Sequence, residues 1–71
     1  MDNEDRKKML GEAVRQYRLD AGLSTRKFAA MAGTSINYLW EIETGKTNPG
    51  LSMICDIADA LDVPVRDLVD F

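Results

Sequence analysis

The chain has 71 residues, 45% of them hydrophobic and 30% charged, with a net charge of −3 and no histidine. That is a globular composition with room for one domain (1–71) and one core. No apolar run approaches the roughly 20 residues a bilayer requires, and the acidic opening Met1-Asp2-Asn3-Glu4-Asp5 is the opposite of a signal peptide. A cytoplasmic protein with no membrane partner is expected.

In chain order the apolar pattern is helical throughout. Leu10, Ala13, Val14, Tyr17 and Ala21 form one stripe on a first helix running from about Asp5 to Asp20. Ala21-Gly22-Leu23 ends it, with Gly22 suited to a left-handed cap. Ser24 is a strong N-cap for a second helix, Thr25 to Ala32, with Phe28, Ala29 and Ala32 facing inward. Gly33 breaks the chain, Thr34-Ser35 offers another N-cap, and a third helix follows from Ile36 to about Thr44, with Leu39 and Ile42 on its inner face. Gly45 stops it, and Lys46-Thr47-Asn48-Pro49-Gly50 has the composition of a loop. Leu51, Ile54, Ile57, Ala58 and Leu61 mark a fourth helix, and Pro64 begins a short last turn carrying Val65, Leu68 and Val69. Cys55, the sole cysteine, lies between Ile54 and Ile57 and is expected to be a packed core thiol. One cysteine and no histidine exclude an internal disulfide and leave no metal site to expect. No segment alternates with period two, so the expected fold class is all-α with five short helices.

The informative stretch is Thr25 to Ile42, where two short helices meet across Gly33-Thr34-Ser35. So short a turn allows a steep crossing only if a residue without a Cβ penalty occupies it and a very small side chain sits where the backbones approach. Gly33 meets the first condition and Ala29 the second. On spacing alone, an ordinary helical hairpin in a small bundle remains an alternative.

The run Leu23-Ser24-Thr25-Arg26-Lys27-Phe28-Ala29-Ala30-Met31-Ala32-Gly33-Thr34-Ser35 resembles the first half of the motif in lambda-repressor and Cro-like (Xre-type) regulators. Ile36 to Pro49, with Ile42-Glu43-Thr44-Gly45-Lys46 and Pro49 inside it, resembles the recognition helix and the loop after it. Ile57-Ala58-Asp59-Ala60-Leu61-Asp62-Val63-Pro64 is similar to the family's fourth helix and its exit. Two positions depart from the usual pattern. Thr34 stands where an aliphatic residue usually follows the turn glycine, and Trp40 stands where the family often has a small or polar one. The resemblance implies a compact five-helix repressor-like domain whose third helix enters the major groove of duplex DNA.

At about 100° per residue, Ile36, Asn37, Trp40, Glu41 and Thr44 share the face opposite Leu39 and Ile42. These are the candidate base readers: Asn can pair with adenine, Glu can accept from the cytosine amino group, and Ile can pack on a thymine methyl. The other readings are a solvated face with a stray Trp, or a protein-binding patch centred on Trp40. Thr25 and Arg26 start the second helix, where N–H groups and the helix dipole favour a phosphate. The resemblance implies that Lys46, Thr47 and Asn48 grip the DNA backbone too; otherwise all five are solvated polar residues at helix ends. It also implies that Arg18 and Glu43 pair and tie helix one to helix three, against the alternative of independent surface charges.

The charge is uneven: residues 1–50 carry eight Lys/Arg and seven Asp/Glu, whereas residues 51–71 carry Arg66 and five Asp. The first fifty residues therefore permit a nucleic-acid partner without demanding one. The expected function is sequence-specific binding of double-stranded DNA by a bacterial or phage transcriptional regulator, a repressor in the first instance. The competing function is a protein-interaction module of the same fold, an antirepressor or antitoxin-like adaptor. No enzyme is expected, since nothing supplies a nucleophile with a base, and no cofactor or small-molecule site is evident. Val65, Leu68, Val69 and Phe71 offer apolar surface at the C-terminal end, and a weak homodimer through that helix is expected.

Overall fold

The computed structural model describes residues 1–71 as five helices joined by short turns: α1 Asn3–Asp20, α2 Thr25–Ala32, α3 Ile36–Glu43, α4 Leu51–Leu61 and α5 Val65–Leu68. Each of the first three starts on a side-chain cap of the kind a helix N-terminus needs for its unpaired N–H groups. Asp2 accepts from the Asp5 amide, Ser24 from the Lys27 amide and Ser35 from the Tyr38 amide. The Asp2 cap places the start of α1 two residues before the expected Asp5.

The helices end alike. Gly22, Gly33, Gly45 and Asp62 take left-handed backbone angles, and the amide that follows each one turns back to a carbonyl of the last helical turn. At Gly33 (φ +72°) this closure sets the turn between α2 and α3, because the Thr34 amide bonds to the Ala29 carbonyl at 2.9 Å.

The core consists of Leu10 and Val14 from α1, Phe28, Ala29 and Ala32 from α2, Leu39 and Ile42 from α3, Ile57 and Ala58 from α4, and Leu68 from α5. α1 lies across α3, α2 packs on α3 and α4, and α5 closes the bottom against α1 and α4. The face of α3 not used by these contacts is left to solvent.

Four expectations need correction. Cys55 is only half-buried. The inward line of α4 runs through Ile54, Ile57, Ala58 and Leu61, and Cys55 sits about 100° round from Ile54, on the flank of that line. Leu51 is 72% exposed, since it opens α4 before the helix reaches the core. Ala21 is exposed as the C-cap of α1. Leu68, counted toward a dimer surface, is 1% exposed, and its side chain belongs to the core. Val65 and Val69 are half-buried against that core, which leaves Phe71 as the exposed large apolar residue of the C-terminal end.

Candidate nucleic-acid interface

The third helix is two-sided, as its periodicity requires. Leu39 and Ile42 are buried, while Ile36, Asn37, Trp40 and Thr44 are exposed and Glu41 is half-exposed. All five proposed base readers therefore lie on or beside the open side. Trp40 shows 51% of its surface and Ile36 42%, large apolar groups that core packing would have claimed had they faced inward. Thr44 is the C-cap and not a helical residue; its hydroxyl donates to the Trp40 carbonyl at 2.8 Å. Its oxygen keeps a free acceptor lone pair.

Of the proposed phosphate anchors, Thr25 is half-buried and Arg26 exposed at the start of α2. In the loop after α3, Lys46 and Asn48 are exposed and Thr47 is half-buried. The loop is held close to α3: the Gly45 amide donates to the Ile42 carbonyl at 3.1 Å and the Lys46 amide to the Glu41 carbonyl at 2.9 Å. The Lys46 ammonium lies 5.7 Å from the centroid of the Trp40 ring. Asn48 lines a cleft with Asn3, Arg6, Lys7 and Leu10 of α1.

On the back of α3, Arg18 and Glu43 form the pair that the resemblance implied. The Arg18 Nε donates to one Glu43 carboxylate oxygen at 2.7 Å and a terminal nitrogen donates to the other at 3.0 Å. The remaining guanidinium nitrogen donates to the Leu23 carbonyl at 2.9 Å, at the entry to α2. Both side chains are largely buried. The hydrogen bond to Glu43 raises the Arg18 pKa above its ordinary value; burial acts the other way, and the carboxylate's charge adds to the rise. One arginine thus fixes α1, the start of α2 and the end of α3 together.

Two features at this junction escaped the sequence reading. A Cβ on Gly11 would collide with the Ile42 carbonyl and come within 2.7 Å of that of Glu43, so α1 and α3 meet backbone to backbone at Gly11. Ala29 is buried, as expected. A glycine in the middle of a helix costs about 1 kcal/mol relative to alanine, and that cost was the available signal. The second feature is the basic run Arg6-Lys7-Lys8, which reaches the α3–α4 loop: Lys8 packs on Gly45, and Arg6 and Lys7 line the cleft with Asn48.

The sequence profile of the helix-turn-helix domain family matches residues 9–71. The HTH-type transcriptional regulator SinR of Bacillus subtilis is 36% identical over 63 residues, covering 87% of this chain and 57% of SinR. The control protein C.BamHI of Bacillus amyloliquefaciens is 38% identical over 64 residues, covering 89% of this chain and 79% of its own length. The crystal structure of the restriction-modification controller protein C.AhdI from Aeromonas hydrophila superposes with a TM-score of 0.85 at 32% identity, covering 87% of this chain and 94% of C.AhdI. The chain spans little more than half the length of SinR. No helix is long and apolar enough to cross a membrane. With caps, turn, α3 packing and relatives all in agreement, the chain belongs to the Xre/Cro-like helix-turn-helix family of transcriptional regulators.

Proposed function

We propose that this chain is a single DNA-binding domain that regulates transcription by reading the major groove of a specific duplex with the open face of α3, and that it acts without catalysis. The observation that carries the reading is the separation of α3 into a buried side, Leu39 and Ile42, and an open side, Ile36, Asn37, Trp40 and Glu41, on a helix locked from behind by Arg18 and Glu43. Asn37 would supply the bidentate contact to adenine, Ile36 the contact to a thymine methyl, and Glu41 and Thr44 acceptors for a base amino group. Thr25, Arg26, Lys46, Thr47 and Asn48 would hold the phosphates. The placement of Arg6 and Lys8 beside the loop adds them as outlying phosphate contacts.

Two copies on adjacent half-sites about one helical turn apart would suit a reader this small. With Leu68 in the core, a C-terminal contact would rest on Val65, Val69 and Phe71 alone, which is too little for a tight dimer and compatible with association on DNA. The exposed Trp40 ring favours one rival, a partner protein seated on the same face. Selection of bound duplexes from random DNA, followed by affinity against salt, tests the proposal. A selected half-site and a linear fall of log affinity with log salt are expected. Absence of salt-dependent binding to any duplex at low ionic strength would overturn the DNA reading in favour of the rival.

A further inference from the structure

Trp40 belongs to the open face of α3, but the Lys46 ammonium lies over its ring, and that arrangement suggests a different role from base reading. The backbone around Lys46 is fixed by hydrogen bonds: the Thr44 amide and hydroxyl both donate to the Trp40 carbonyl, and the Lys46 amide donates to the Glu41 carbonyl. From that fixed start the lysine side chain folds back over the indole, with its ammonium 5.7 Å from the ring centroid. An indole face attracts a cation through its quadrupole and leaves the charge intact. A carboxylate partner would instead neutralise it, as Glu4 does for Lys7 and Glu43 for Arg18 in the two ion pairs of the molecule. Lys46 is in neither pair. A lysine ammonium has three N–H donors, and a π face below it leaves donors pointing outward to solvent.

A free lysine gives up rotamer freedom when it settles on a phosphate, up to about 2 kcal/mol. A lysine already folded onto a ring has given up part of that beforehand, so less remains to be lost on binding. We propose that Trp40 is a positioning residue that holds the Lys46 ammonium, fully charged and pre-ordered, for a DNA phosphate at the end of the recognition helix. This rests on the DNA-binding reading above and deepens it, moving Trp40 from base contact to phosphate grip.

The test is a double-mutant cycle of Trp40→Leu and Lys46→Met in the full chain, measured on a mixed-sequence duplex of about two helical turns. The NMR shifts of the Lys46 ε-methylene are recorded with and without DNA. Trp40 is half exposed, so Trp40→Leu leaves the fold intact. With Lys46 present, Trp40→Leu is expected to weaken binding about two- to five-fold, the worth of an exposed cation–ring contact. It should leave the salt slope unchanged, because the charge that displaces counterions is still there. In the Lys46→Met background the same substitution should have no effect, and Trp40→Phe should restore part of the loss. The ring-current shift of Lys46 should be present in the free protein and persist on DNA. Equal losses in both backgrounds would overturn the inference, as would tighter binding by Trp40→Leu or a shift that vanishes on DNA, since the ring would then act alone or sequester the lysine. Failure of the parent protein to bind any duplex would overturn the inference together with the DNA reading. A Lys46 shift still present in that free protein would show that the DNA reading, and not the ring contact, was at fault.

Discussion

Glu41 and Glu43 stand two residues apart on α3 and do opposite things. Glu43, on the back, takes two hydrogen bonds from Arg18 and is almost fully enclosed. Glu41, toward the front, stays half exposed and takes part in neither ion pair of the molecule. A shift of two residues moves a side chain about 200° around a helix, enough to exchange the core side for the groove side. The back of α3 answers for stability and orientation, and on the proposed function the front would answer for affinity and choice of sequence.

The largest effect is expected at the buried pair. Arg18→Met leaves Glu43 enclosed without its partner, at a cost of about 3–5 kcal/mol. In a cycle with Glu43→Gln the two losses should be far from additive, with a coupling beyond the few tenths of a kcal/mol of independent sites. Additive effects in thermal unfolding would place both charges in solvent and erase the contrast with Glu41. The pH dependence has a definite sign. A cation whose pKa is raised in the folded state stabilises fully below its unfolded value and loses that contribution only above it. Arg18 starts near the top of the scale, so its contribution stays flat from neutral pH through the lysine range near about 10.

Gly11 comes next. A methyl group there meets backbone carbonyls of Ile42 and Glu43, which cannot swing aside as a side chain would. Gly11→Ala should cost about 2–3 kcal/mol as an overpacked site, lowering Tm by roughly 8 °C or more in a chain of this size. Ala29→Leu, which adds volume to a buried site, is expected to cost about 1–3 kcal/mol. If Gly11→Ala melted at or above the parent temperature, α1 would not approach α3 as closely as the structure places it.

These two positions show what the sequence could and could not reveal. Helix starts at Ser24 and Ser35 and the breaks at Gly22, Gly33 and Gly45 were legible because caps and left-handed turns are set by local chemistry. The two faces of α3 were legible because the period of a helix is fixed. Gly11 was not, since its role depends on carbonyls more than thirty residues away. Arg18 and Glu43 came from family resemblance, because two residues 25 apart carry no local mark of their pairing. The exposures of Leu51 and Leu68 reversed expectation because a periodic stripe says which side faces inward and not where the core ends.

On the front, Asn37→Ala should leave the free energy of unfolding unchanged within about 0.5 kcal/mol, as exposed substitutions do. It should cost about 1–3 kcal/mol on the selected site and relax the choice at one base pair. A loss spread equally over all sequences would make Asn37 a phosphate contact.

The smallest effect, and the only one expected to strengthen binding, belongs to Glu41. Its carboxylate is the one negative side chain on the open face of α3, since Glu43 is taken up by Arg18. Near phosphates it repels every duplex alike, while beside a cytosine amino group it can accept a hydrogen bond and recover that cost at one sequence. Glu41→Gln removes the charge, keeps the shape and keeps an acceptor. Affinity for mixed-sequence DNA should therefore rise several-fold at low salt, with less gain as salt screens the repulsion over a Debye length of about 8–10 Å. Affinity for the selected site should rise less or fall, because the hydrogen bond it loses was charge-assisted. The ratio of the two, measured as separate titrations, is the quantity to watch. Glu43→Gln provides the control, since its cost should appear in the melting temperature. A Glu41→Gln variant that lost stability and left both affinities unchanged would put Glu41 with its neighbour on the structural side of the helix.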